Sequence, residues 1–140
     1  MRRLVLALAG LGLGLGSVPV ALAQGRADVQ VDARSSMGGA DPSCLLAIRL
    51  RNAGDQHITV HVTDVEAVDA RSGAPLRLNQ PQIPFSGVEP GLSRAWTTAA
   101  VLGAPCERVR LRVTRVTCSP RCGQTTWQVR GVAAFDPPQP

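Results

Sequence analysis

The chain contains no lysine and no tyrosine, and only four of its 140 residues are aromatic. Binding sites for sugars and for single-stranded nucleic acid are commonly built on aromatic side chains that stack against the ligand. The sequence has too few aromatic residues to form a stacking surface of this kind. It also lacks a G-x-S-x-G nucleophile elbow, a P-loop and a dinucleotide-binding fingerprint. It therefore carries none of the common motifs of hydrolase or nucleotide chemistry.

Positive charge is carried by arginine alone, and its excess over negative charge is modest. Fifteen arginines oppose ten carboxylates, which gives a formal net charge of +5. Removing Arg2 and Arg3 with a leader peptide would leave 5 − 2 = +3. This excess is too small to indicate a nucleic-acid partner, but it is compatible with an anionic partner of another kind.

The N-terminus has the features of a secretory signal peptide. Two arginines precede an apolar run that starts at Leu4, and Ala21-Leu22-Ala23 is a small-x-small cleavage signal. The sequence therefore predicts a signal peptide over residues 1–23, a periplasmic or secreted protein, and no membrane span after cleavage. Residue 24 is glutamine, so a lipid-anchoring cysteine is not available at that position.

The remaining residues, 24–140, are long enough for one domain with a single hydrophobic core. Two segments are rich in residues that resist regular structure, and we expect a loose loop over 35–43 and a flexible tail over 136–140. Between them, hydrophobic and polar residues alternate with the period of two that is typical of strands. The predicted strands lie near 27–33, 44–52, 57–69, 75–78, 92–99, 107–118 and 125–135.

Seven short strands separated by turn residues favour an all-β fold, a single immunoglobulin-like antiparallel β-sandwich. The alternation also predicts which side chains enter the core. Inward positions are Cys44, Leu46, Ile48, Leu50, Ile58, Val60, Val62, Val109, Leu111, Val113, Trp127 and Val129. The pattern changes phase before Val116, which predicts a β-bulge near Thr114.

The stretches "IRLRNAGDQHITV", "VEPGLSRAW" and "LGAPCERVRLRV" follow one another within residues 44–116. Their Asn-x-Gly turn, Pro-Gly turn and following long strand resemble bacterial immunoglobulin-like modules of the cell-adhesion-related (CARDB-like) kind. The resemblance implies an extracytoplasmic interaction or accessory module. It brings no catalytic residues with it.

Four cysteines in an exported chain are expected to form two disulfides, with three alternative connectivities. If residues 106–118 form one strand, its ends are about 40 Å apart, far beyond the roughly 7 Å between Cα atoms that a disulfide allows. Cys122 follows directly after that strand, so Cys106 cannot reach it either. The surviving pairs are Cys44–Cys106 and Cys118–Cys122. We expect the second pair to close a hairpin loop, because the sequence lacks the C-x-x-C or second ligand pair of a redox or zinc site.

His57 and His61 have a spacing that would bind one metal ion on a helix, but on a strand they lie about 13 Å apart. We therefore expect solvent-exposed histidines, no metal and no cofactor. Asp64, Glu66 and Asp69 lie close together and are assigned to surface and turn roles.

One surface is a candidate for binding. In an immunoglobulin-like order, the third, sixth and seventh strands would share a sheet and present arginine, histidine and polar side chains on its outer face. The alternative is an ordinary solvated sheet face. The candidate residues are His57, Thr59, His61, Arg108, Arg110, Arg112, Gln128 and Arg130.

The leading functional hypothesis is a non-enzymatic, exported binding or accessory protein whose partner is another envelope protein or an anionic envelope polymer. The first alternative is a small periplasmic metal-handling or redox protein that uses the histidines and cysteines. A second alternative is an inhibitor or chaperone-like protein that makes contact through loops 79–91 or 102–106. The sequence does not indicate an oligomeric state.

Overall fold

The computed structural model describes residue 16 and residues 25–38 and 41–139. The predicted signal peptide, apart from Gly16, lies outside the described residues. Strands make up most of the described chain, together with one short 3-10 turn at Cys106–Arg108. The strands are β1 (Arg26–Ser36), β2 (Ser43–Asn52), β3 (Ile58–Asp69), β4 (Pro75–Leu78), β5 (Gln82–Val88), β6 (Ser93–Leu102), β7 (Val109–Ser119), β8 (Gln124–Arg130) and β9 (Ala134–Asp136). The all-β prediction is confirmed.

The strands form two halves of one sheet that nearly closes on itself. One half runs β8-β1-β2-β6, and the other contains β5, β3, β7 and β9. The short strand β4 joins the halves because it pairs with both β3 and β6. On the opposite side no strand pairing joins β8 to β9 among the described residues. There the Trp127 and Phe135 rings, with centroids 5.8 Å apart, fill the gap.

The core lies between the two halves and follows the alternation in the sequence. On β2, the predicted inward residues from Cys44 to Leu50 are all buried, and the intervening residues are exposed. On β7, Val109, Leu111 and Val113 are buried as predicted. The pairing of β3 with β7 then shifts, since Asp64 lies opposite Arg115 and Val65 lies opposite Val113. Thr114 is the extra residue, so the predicted β-bulge is confirmed.

Both predicted disulfides are present. Cys44 and Cys106 are joined with their Cα atoms 4.7 Å apart, and both side chains lie in the core. Cys118 and Cys122 are joined with Cα atoms 5.6 Å apart, where β7 ends. The described cysteines are therefore all oxidised, which is consistent with an oxidising compartment.

The predicted hairpin around the second disulfide is wrong. β8 leaves β7 and pairs in parallel with β1, with Val29 opposite Trp127 and Val31 opposite Val129. This register places Trp127 and Val129 against the core, and β9 takes the vacated edge of β7, again in parallel. The predicted single strand 125–135 is thus two strands in opposite halves, with a bend at Gly131 (φ 89°) between them. Because of these parallel pairs, the sheet is mixed rather than antiparallel.

Three other predictions need correction. β5 lies in the segment assigned to a loop at 79–91, and among the described strands it pairs only with β3, as an edge strand. Its Pro84 cannot donate a backbone hydrogen bond, which an edge strand tolerates. The loose loop is shorter than predicted, because β1 continues to Ser36 and β2 begins at Ser43. Likewise Asp136, the first residue of the predicted tail, belongs to β9.

Candidate functional site: a basic groove on the outer face of the sheet

The predicted arginines in and just before β7 point outward as expected, but they form ion pairs. Arg108, in the 3-10 turn just before β7, forms an ion pair with Asp69. Arg110 and Arg112 both approach Asp136 of β9, with Nε to Oδ2 distances of 3.7 and 3.2 Å. The sequence could not reveal the neutralisation of Arg110 and Arg112, because it depends on β9 lying beside β7. Because acidic side chains lie beside these arginines, the net positive charge that this surface presents to a partner is lower than the sequence suggests.

The placement of His61 on the outward face is wrong. Its side chain is fully buried, opposite Phe85 of β5 and Cys118 of β7, and neither ring nitrogen has a hydrogen-bond partner. Burial in these surroundings lowers the pKa of His61 from 6.5 to about 4, so the ring is neutral near pH 7. The predicted alternation on β3 placed even-numbered residues inward. It fails because Thr59 and Val60 are both exposed, and from there on the odd-numbered residues His61 and Thr63 point inward.

His57 and Thr59 are exposed, as predicted, and His57 Nδ1 lies 2.8 Å from Glu89 Oε1. Gln128 and Arg130 are also exposed, but they belong to β8 and lie beside β1 in the other half of the sheet. The predicted binding face is therefore not one surface. Its residues are divided between two sheet halves and the core.

A different surface gathers arginine side chains without acidic partners. On the outer face of strands β8, β1, β2 and β6 lies a groove of about 470 Å³, here called the basic groove. It is lined by Arg26, Asp28, Val29, Gln30, Arg49, Arg51, Ser93, Thr126 and Gln128. The strand alternation that buries Leu46, Ile48 and Leu50 also places Arg49 and Arg51 outward on β2.

The groove has an excess of positive charge that the described residues do not neutralise. Across residues 25–38 and 41–139, Arg26, Arg49 and Arg51 take part in no ion pair. Asp28 lies opposite Arg51, but its carboxylate accepts a hydrogen bond from Thr126. The groove is therefore rich in hydrogen-bond donors, with one carboxylate among three guanidinium groups.

The sequence contained part of the signal for this groove. The outward direction of Arg49 and Arg51 follows from the alternation in "CLLAIRLRN". The sequence did not show which strands surround these two arginines. β2 lies between β1 and β6, and the pairing of β2 with β6 joins residues that are far apart in the chain. The presence of Arg26 and Thr126 at the same groove depends on the parallel pairing of β1 with β8.

Asp64 and Asp69, which lie on β3 in the other half of the sheet, have structural partners. A hydrogen bond from Arg115, followed by one from Gln82, lowers the pKa of Asp64 below its ordinary value. Backbone N–H groups of Arg71 and Ser72 donate to Asp69 and lower its pKa in the same direction. Asp69 thus shapes the turn after β3, in agreement with the predicted turn role.

Within the described part of the chain, no three His, Cys, Asp or Glu side chains are grouped so that they could hold a metal ion. Nor does that part include a helix that is long and apolar enough to cross a membrane. Comparison of the chain with models of protein families, with curated proteins and with solved structures finds no match.

Proposed function

We propose that this chain is an exported, non-enzymatic binding or accessory protein of the bacterial envelope, and that it binds an anionic partner through the basic groove. The observation that carries the proposal is the contrast between two sets of arginines. Those near and on β7 face Asp69 and Asp136, whereas Arg49 and Arg51 lie over a groove with no ion pair in the described chain.

The chemistry of arginine favours such a partner. Each guanidinium presents a planar fork of donors that matches a carboxylate or a phosphate. Arg49 and Arg51 lie about 7 Å apart on one side of β2, so their like charges repel each other in the free protein. An anionic group between them relieves that repulsion and accepts hydrogen bonds from both side chains.

Export is supported by two independent features. The N-terminal sequence has the charged, apolar and small-residue regions of a signal peptide. The four cysteines of the described chain are joined in two disulfides, which persist in oxidising compartments such as the periplasm. Another envelope protein or an anionic envelope polymer would be available as a partner in that location.

We also propose that the chain is a divergent immunoglobulin-like module related to the CARDB-like kind. The pairings of β1 with β2, of β2 with β6 and of β3 with β7 support this relationship. The position of β8 beside β1 departs from the usual order. The proposed relationship would favour an interaction role without specifying the partner.

The test compares two pairs of substitutions of the same chemical type. Arg49→Gln with Arg51→Gln changes alternate residues of β2 in the groove, and Arg110→Gln with Arg112→Gln changes alternate residues of β7 beside Asp136. Binding of residues 24–140 to immobilised polyglutamate and polyphosphate is measured over a range of salt concentrations. We expect the β2 pair to weaken binding about tenfold and to flatten the salt dependence, since exposed charge pairs are weak and screened.

The β7 pair is expected to change binding less than the β2 pair. Equal losses for the two pairs would show that total charge, rather than the groove, governs binding. Absence of binding to either polymer by the parent protein, together with no partner recovered from an envelope extract, would overturn the proposed function.

A further inference from the structure

We infer that the partner is a protein segment in extended conformation that lies along β2 and carries acidic side chains at alternate positions, followed by an apolar one. This inference rests on the proposed function and specifies the partner class. It derives from the spacing of the arginines, the shape of the surface beside them and the apolar residues that follow them on β2.

The first argument is spacing. Arg49 and Arg51 are two residues apart on the outward side of a strand, which separates their Cα atoms by about 7 Å. An extended peptide repeats the side chains on one of its faces at the same interval, because both chains have strand geometry. Acidic residues two apart in such a peptide would therefore meet the two arginines in register.

The second argument concerns the space beside the arginines. On the β6 side, Arg49 lies opposite Ala95 and Arg51 lies opposite Ser93, both exposed residues with small side chains. On the β1 side, Arg51 lies opposite Asp28, whose carboxylate repels an acidic ligand. The basic groove itself lies mainly over β1 and β8 and reaches β6 at Ser93. The negative charge of Asp28 therefore favours the β6 side of the two arginines for an acidic chain, where the small side chains leave room for it.

The third argument is the surface that continues from the basic groove. Further along the outward side of β2 come Ala47 and Leu45, which line a second groove of about 410 Å³ with Thr97 of β6 and with Asp32 and Arg34 of β1. Leu45 is 37% exposed, although it lies in the middle of a sheet face. A peptide that places acids over Arg51 and Arg49 would next meet a small residue and then an apolar one. Leu45 therefore offers an apolar contact that a peptide can use and a uniform polyanion cannot, although Arg34 opposite Leu45 is a cation to which either ligand could bind.

The experiment uses synthetic peptides and fluorescence anisotropy with the mature protein. The matching peptide has glutamates at two alternate positions, then a small residue at the next alternate position and leucine at the one after it. Because the direction of the chain along β2 is open, the peptide is made in both sequence orders. The register control has the same composition with the two glutamates adjacent, so that they point to opposite faces. Polyphosphate is the third ligand.

We expect one order of the matching peptide to bind about threefold to tenfold more tightly than the register control, since the control loses at least one arginine contact. Arg49→Gln with Arg51→Gln should remove that preference. Leu45→Asn should weaken the matching peptide, leave polyphosphate binding unchanged, and leave the melting temperature near that of the parent because Leu45 is outside the core. Leu92→Asn, which changes an exposed leucine of the turn before β6, is the matched control.

The outcomes separate this inference from the proposed function. If both peptides bind equally, or if polyphosphate binds through Arg49 and Arg51 while no peptide binds, the groove is an anion-binding site and the extended-peptide inference is wrong. If no anionic ligand of either class binds and no partner is recovered from an envelope extract, the proposed function fails as well.

Discussion

The buried His61 should make the protein unstable in mild acid. Its ring is completely inaccessible, and neither nitrogen finds a partner in the described structure. Protonation would place a positive charge between Phe85 and Cys118, where no described carboxylate pairs with the ring. The unfolded chain, in contrast, exposes the imidazole to water. Acid therefore favours the unfolded state.

The magnitude follows from the difference between the two pKa values. The pKa of His61 falls from 6.5 to about 4 on folding, and each pH unit corresponds to 1.36 kcal/mol. The unfolded chain binds one more proton than the folded chain between these values, so the free energy of unfolding decreases as the pH falls through that interval. Well above pH 6.5 the ring is neutral in both states and causes no pH dependence, whereas about 3 kcal/mol of the free energy of unfolding is lost by pH 4. Asp64 and Asp69 have pKa values lowered from 3.8, so their contributions are lost mainly at more acidic pH.

The assay is urea denaturation followed by tryptophan fluorescence, at a series of pH values between 6.5 and 4. The free energy of unfolding of the parent should fall with a slope approaching one proton in mid-interval. His61→Leu should remove most of this slope. At pH 7 it should leave stability unchanged or raise it, because two unpaired polar atoms leave the core. The exposed His57→Gln is the control. Parallel curves for the parent and His61→Leu would refute the reasoning, because they would mean that the His61 ring has access to water or a partner.

Two further predictions concern stability. Replacing both cysteines of the Cys44–Cys106 disulfide by alanine should lower the melting temperature more than the same change in the Cys118–Cys122 disulfide. The chain-entropy contributions are about 4 and about 2 kcal/mol for these loops, and equal losses in calorimetry would contradict that account. Asn52→Ala should cost about 2–4 kcal/mol in urea denaturation, because the buried Asn52 amide donates to two backbone carbonyls and accepts one backbone N–H. A loss no larger than that of an exposed polar substitution, such as Gln128→Ala, would show that these bonds contribute little.

Much of the fold could be predicted from local patterns. Alternation identified β2 and the first part of β7 together with their buried faces, because a strand half-buried against one core must alternate with period two. The change of phase at Val116 identified the bulge at Thr114, since an extra residue is the simplest way to keep both parts of a strand facing the core. The disulfide pairing followed from the length of a single strand, which keeps Cys106 away from Cys118.

The candidate binding face was predicted less well, because it required knowledge of which strands are neighbours. The sequence placed Arg108, Arg110 and Arg112 outward, but Asp136 reaches two of them only through the parallel pairing of β9 with β7. It also assigned Arg130 to the same surface, which the pairing of β8 with β1 excludes.

By itself, the sequence determined the strand period, the inward residues of the regular strands and the cysteine pairing, which all depend on the geometry of a single extended chain. Only the tertiary structure decided that β8 crosses to β1, that His61 turns inward and that Arg26, Arg49 and Arg51 share one groove. These features arise from contacts between residues far apart in the chain. These three features depend on how the two halves of the sheet bury their apolar side chains against each other. A local sequence pattern does not determine that arrangement.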